Sequence, residues 1–207
     1  MGDAETRFNT AVSREVLERV AEKLRARNIV VRIVAGATEA RQAVLEWLPP
    51  GAEIHVGKSK TLQDIGVIDE LAVEEKYHFL RNVYLKMDRA TQMREIRKLI
   101  AAPDFMVGSV NAVTEDGVLV ASSATASQIG PYASGAGKVL FVVGSQKIVA
   151  NLEEALRRIR EYVLPWEDAQ VRPKVPTGSF VGKTLLIEKE WIAGRIEVIF
   201  VEEPVGM

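Results

Sequence analysis

Residues 104–151 constrain this chain more than any other segment. Two apolar runs, 118–121 (VLVA) and 139–143 (VLFVV), enclose a long stretch of small and hydroxyl residues, SSATASQIGPYASGAGK. A globular chain rarely places so many Ser, Thr, Ala and Gly residues between core strands merely to turn. Such residues let backbone approach backbone or ligand closely and leave N–H groups free to hold anions. The acidic turn Thr114-Glu115-Asp116-Gly117 precedes the first run, and Gly144-Ser145-Gln146-Lys147 follows the second. Polar groups therefore gather at the ends of buried strands, where open α/β sheets place their ligands.

The rest of the chain alternates helical and strand-like periods. Phe8, Val12, Val16, Leu17, Val20 and Leu24 recur every three or four residues, which predicts one amphipathic helix over 4–27. The β-branched run 29–34 reads as a buried strand. A helix is expected over 38–48, stopped by Pro49-Pro50-Gly51, then a strand at 52–56 and a helix from Thr61. Residues 76–87 carry no clear period. A helix follows over 89–101, then a strand at 105–107. Asn151 and Glu154 are spaced as a capping pair, opening a helix that Pro165 should end. Residues 171–182, rich in Pro and Gly, are expected to cross the surface before a last strand at 196–201. The alternation predicts one α/β domain over 1–207, a mostly parallel sheet with helices on both faces.

Composition narrows the function classes. Lys and Arg number 27 against 28 Asp and Glu, dispersed along the chain, so no basic face for nucleic acid is expected. The absence of cysteine excludes disulfides, thiolate-held iron–sulfur clusters and a thiol nucleophile. No apolar run approaches the ~18–20 residues of a membrane span, and the opening MGDAETRF is not a signal segment. A soluble cytoplasmic protein is the expectation. His55 and His78 supply no spaced ligand set, so no metal site is expected.

Gly57-Lys58-Ser59-Lys60-Thr61 superficially resembles a nucleotide-binding P-loop. That motif needs its first Gly at position 52, where this chain has Ala, and a loop at 53–56, where it has a strand. What remains is a Gly and hydroxyl turn into a helix. It either holds a phosphate or carboxylate, with Gly57, Lys58, Ser59 and Thr61 as contacts, or is a tight turn capped by Ser59 or Thr61. Glu115 is either a nucleophile or general base, or a solvated residue of a β-turn. Asn111 and Thr114 would flank it. Ser122, Ser123, Thr125, Ser127 and Gln128 form either a ligand-facing rim, with Ser123, Ser127 and Gln128 as contacts, or a solvated loop, and Lys147 either reaches an anion or is solvated.

The motifs VGKSKTLQDIGV, VGSVNAVTEDGVLV, GAGKVLFVVGSQKIVANLEEALRRIREYVLP and GRIEVIFVEEPVG together resemble the lactate-utilisation (LUD) domain family along nearly the whole chain. The resemblance implies a Rossmann-like α/β domain related to the isomerase and coenzyme A transferase superfold. It implies a role in lactate or related organic-acid utilisation beside iron–sulfur protein subunits, with a small anionic metabolite as ligand. Related transferases and isomerases act on coenzyme A thioesters or sugar phosphates, some through a glutamate nucleophile, and Glu115 is the residue nominated for that duty. A non-catalytic subunit that docks onto redox partners is the alternative. No cofactor is assigned, and a homo-oligomer is left open. Two departures stand out: Ser127-Gln128 replaces a Gly-Asn-Arg element of many relatives, and 171–189 lacks their cysteine-rich stretch. The first changes the charge of the expected pocket; the second leaves no cluster ligands in that region.

Overall fold

The structure is a computed structural model that describes residues 2–73 and 76–207. Among the described residues, ten strands form two sheets: β1 (Val30–Val34), β2 (Glu53–Val56), β3 (His78–Phe79), β4 (Phe105–Gly108), β5 (Ala112–Thr114), β6 (Leu119–Ser123), β7 (Lys138–Gly144), β8 (Ile148–Val149), β9 (Lys183–Ile187) and β10 (Ile196–Val201). The larger sheet has the order β1-β10-β7-β4-β2-β3, and every pairing in it is parallel. The smaller has the order β8-β5-β6-β9 and is mixed. The two apolar runs that enclose the small-residue stretch, β6 and β7, belong to different sheets.

Parallel strands are covered on both faces, which is why β7 is apolar almost continuously and buried from Val139 to Gly144. One face packs against helices α3 (Ala37–Trp47), α4 (Lys60–Asp64) and α5 (Val67–Leu71), through Val44, Leu62, Leu71, Ile54, Leu140 and Ile199. The other face meets helix α2 (Arg14–Arg25) and the inner face of the smaller sheet: Leu17, Leu24, Met106, Phe141, Val113 and Leu119 share one core cluster. The second layer is therefore part helix and part sheet.

The long helix expected over 4–27 is two helices, α1 (Gly2–Phe8) and α2. Ser13 interrupts the period because its hydroxyl accepts from Val16 N–H and opens α2, while the Thr10 hydroxyl donates to the Thr6 carbonyl at 2.6 Å. Asn151 caps α8 (Leu152–Arg158) as expected, accepting from Glu154 N–H at 3.0 Å. Pro165 does not end this segment. A π-helical turn, Ile159–Val163, absorbs one extra residue, and Pro165 falls in the first turn of α9 (Leu164–Val171), where its missing N–H costs little. The unassigned stretch 76–87 contains β3 and the short helix α6 (Leu80–Tyr84), and the predicted helix over 89–101 is confined to α7 (Met93–Ala101).

The topology creates a crevice. The chain leaves β2 toward α4 and α5 on one face of the large sheet, and leaves β4 toward the small sheet on the other face. Adjacent parallel strands whose exits part in this way open a gap beyond their carboxyl ends. Gly57 follows β2 at that gap, and Ser109 follows β4.

Candidate functional site

A cavity of about 600 Å³ opens beside this crevice. Its polar lining is built by Lys58 from the loop after β2, Asn111 from the entry to β5, and Ser122 and Ser123 from the end of β6. Thr125, Ser127 and Gln128 of the following loop complete it, with Arg89 as a second cation. Apolar side chains share the lining: Ile159, Val163, Leu164, Val171, Val175 and Phe180, with Glu167, Thr177 and Ser179 from the same stretch of chain. The π-helical turn and α9 supply most of these.

Local bonding holds the polar lining in place. Asn111 Oδ1 accepts from Ser122 N–H at 2.6 Å, tying two lining residues across β5 and β6. Ser123 Oγ accepts from Ala126 N–H at 3.0 Å, closing a turn in which Ala126 takes a left-handed φ of 64°. Gln128 lies directly over Gly57: a Cβ at that position would stand 2.2 Å from Gln128 Oε1 and would push the Gln128 amide aside. Lys58 donates to Glu167 Oε1 at 2.8 Å across the cavity. The lining therefore carries two cations, Lys58 and Arg89, and one carboxylate, Glu167, a formal charge of +1.

A second polar cluster lies at the crevice, outside the cavity lining. Lys147 is wholly buried, and its Nζ donates to Thr61 Oγ1 at 2.7 Å, Ser109 Oγ at 2.9 Å and the Val110 carbonyl at 3.3 Å. Burial, followed by the Arg158 guanidinium, pushes Lys147 well below the usual lysine range, and Asp64 offsets this only in part. Arg158 is itself buried and donates to the carbonyls of Asn111 at 2.6 Å and Phe8 at 3.2 Å. Burial lowers its pKa to about 10, so it stays cationic at neutral pH. Ser109 N–H donates to the Tyr132 hydroxyl, whose pKa burial pushes up.

Of the residues singled out from sequence, the cavity gathers Lys58, Asn111, Ser123, Ser127 and Gln128. Gly57 lies beneath Gln128. Ser59 caps α4, accepting from Leu62 N–H at 3.3 Å. Thr61 and Lys147 meet in the crevice cluster instead. Thr114 is buried and shapes its own turn, bonding Asp116 Oδ1 and accepting from Val118 N–H at 2.9 Å. Glu115 is exposed on that turn, with its N–H donated to the Val149 carbonyl, and does not line the cavity. Sequence reasoning passed over Ser109, Arg89, Arg158 and the apolar lining. Ser109 alone carried a signal, as a hydroxyl directly after a strand-ending Gly.

The sequence pattern of the LUD domain matches residues 17–201. The chain belongs to the LUD domain family. At family level this marks a lactate-utilisation-related domain. Among solved structures, the crystal structure of a DUF162 family protein from Deinococcus radiodurans is similar, with a TM-score of 0.53 and 13% identity, covering 92% of this chain and 99% of that one. At that identity the likeness concerns the fold. No curated protein matches the chain. Among the described residues, no helix of this LUD domain is long and apolar enough to cross a membrane.

Proposed function

We propose that this LUD domain binds a small organic anion with an apolar portion, in keeping with a role in lactate or related organic-acid utilisation. The observation that carries this reading is the mixed lining of the cavity: Lys58 and Arg89 with hydroxyl and amide side chains, together with aliphatic and aromatic side chains. A carboxylate or phosphate would displace Glu167 from Lys58, and Ser123, Ser127 and Gln128 would meet its polar substituents. The apolar part would lie against Ile159, Val163 and Phe180. A lining of apolar side chains with a few placed polar groups is the usual composition of small-molecule sites. Glu115 takes no part in this reading.

Isothermal titration of the purified protein with lactate and a series of longer 2-hydroxy carboxylates tests it. Affinity should rise about fourfold per added methylene, from about 0.8 kcal/mol for each buried CH₂, and Lys58→Met should weaken every member. Absence of binding across the series, or affinities indifferent to both chain length and Lys58→Met, would overturn the proposal.

A second reading has one specific support. Trp191 is 94% exposed and Ile192 59% exposed, side by side on the β9–β10 connection. Two adjacent large apolar side chains in solvent favour a docking role, with an iron–sulfur protein subunit as the partner expected of a lactate-oxidising assembly. Loss of co-purification on Trp191→Ser, with titration behaviour unchanged, would separate docking from ligand binding.

A further inference from the structure

We infer that Ser109 and Lys147 form a serine–lysine nucleophile pair acting on an activated acyl carbonyl, an ester or thioester. The inference does not rest on the ligand proposed for the cavity, since neither residue lines it. Its basis is the arrangement at the crevice between the diverging exits of β2 and β4. A hydroxyl becomes nucleophilic when a base within hydrogen-bond reach accepts its proton and a third group orients that base. Here Lys147 Nζ stands 2.9 Å from Ser109 Oγ and 2.7 Å from Thr61 Oγ1. Thr61, on α4, is therefore the positioning residue, and it holds the amine from the opposite strand exit.

The burial pattern suits the roles. Lys147 is buried, whereas Ser109 is a partly exposed residue, so of the two the serine is the one a substrate can approach. The charged groups acting on Lys147 are Arg158 from α8, which disfavours the ammonium, and Asp64 from α4, which favours it. Among the described residues, Nζ has no carboxylate within ion-pair distance, unlike a lysine held as a structural cation. A lysine acts as a general base only when its pKa falls toward neutrality, and burial without a carboxylate partner supplies that. Ser–Lys pairs are an established variant of the serine–base arrangement on unrelated folds.

The chemistry balances without a further reagent except water. The Ser109 hydroxyl turns its proton from the Val142 carbonyl, now 2.6 Å away, toward Lys147 Nζ. A bond forms from Oγ to the acyl carbon as the proton passes to the amine. The bond from acyl carbon to the leaving oxygen or sulfur breaks, and the ammonium returns its proton to the leaving group. Water, deprotonated by the same amine, then attacks the acyl-serine. The bond from acyl carbon to Oγ breaks, the ammonium returns its proton to Oγ, and the products are an alcohol or thiol from the first step, a carboxylic acid and the original Ser109 hydroxyl.

The test uses diisopropyl fluorophosphate, whose phosphorus accepts a serine oxygen with loss of fluoride, on the intact protein. One diisopropylphosphoryl group per chain is expected by intact mass, mapped by peptide analysis to Ser109. Ser109→Ala should abolish it, and Lys147→Gln should slow it by about a hundredfold or more. The labelling rate should rise through an inflection well below the ordinary lysine value of ~10.4. Because the loss of a buried lysine can unfold the domain, Ser109→Cys gives an independent readout through its alkylation by iodoacetamide. An alkylation inflection below the ~8.5 of a free thiol supports the pair, since the amine takes up the thiol proton. No adduct, an adduct that survives Ser109→Ala, or a thiol inflection in Ser109→Cys at or above ~8.5 would each overturn it.

Discussion

Part of the acid sensitivity of this protein should come from one residue, His55. It lies in β2 with 2% of its surface exposed, its ring edge-on to Tyr84 at 5.7 Å between centroids. Its Nδ1 has no hydrogen-bond partner. Burial, and secondarily the Arg81 charge, lower its pKa from 6.5 to about 4. The imidazole therefore folds neutral. In the unfolded chain it takes up a proton as pH falls through about 6.5, whereas the folded form resists until about 4. Across that window the unfolded state binds more protons, so stability must fall as pH falls. With those two values, linkage gives a loss of about 2 kcal/mol at about pH 5 and about 3 kcal/mol at about pH 4, relative to about pH 8. Carboxylates titrate in the same range, so the measurement is a difference between wild type and His55→Leu, which cannot titrate. Urea unfolding at about pH 7.5, 6, 5 and 4 should show the variant gaining on wild type by about 3 kcal/mol from the top of the range to the bottom. A stability difference constant with pH to within about 0.5 kcal/mol would refute the reasoning, and His55 would then be solvated or partnered in the folded state.

Three further outcomes follow from single contacts. Glu167→Gln removes the carboxylate that Lys58 now faces at 2.8 Å, so affinity for carboxylate ligands should rise several-fold by titration calorimetry. Gly108→Ala sets a Cβ 1.9 Å from the hydroxyl of Tyr132, which is fully packed against Phe141, and overpacking should lower urea stability by about 1–3 kcal/mol. Arg158→Met strips the Asn111 and Phe8 carbonyls of a buried donor and should lower stability by about 2–4 kcal/mol, with protease sensitivity first appearing near α1.

Much of the scaffold is legible in local sequence because its causes are local. Ser13 and Asn151 cap helices with their own side chains, and the apolar runs 139–143 and 196–201 are continuous because parallel central strands are buried on both faces. Local pattern fails where a distant segment decides. Pro165 reads as a helix stop, yet the π-helical turn before it shifts Pro165 to a position where no N–H is needed. Val118–Ala121 and Val139–Val143 both read as strands, but their pattern does not choose partners: β6 pairs with β5 and β9, and β7 with β4 and β10.

The same division holds for the site. Residue types alone show that the 57–61 and 122–128 segments are built for close approach and polar contact, because Gly and small hydroxyl side chains leave backbone accessible. Sequence order cannot show that Lys58 meets Glu167, 109 residues away, or that Lys147 ends between Thr61 and Ser109. Those encounters depend on the opposite exits of β2 and β4, a property of strand order. Glu115 illustrates the limit from the other side: its sequence neighbours are polar and turn-forming, but β5 carries it out of the cavity that Asn111 enters. Chemistry was written in the residues; which of them share a space was decided by how the parallel strands are ordered, because strand order sets which loops rise on the same side of the sheet.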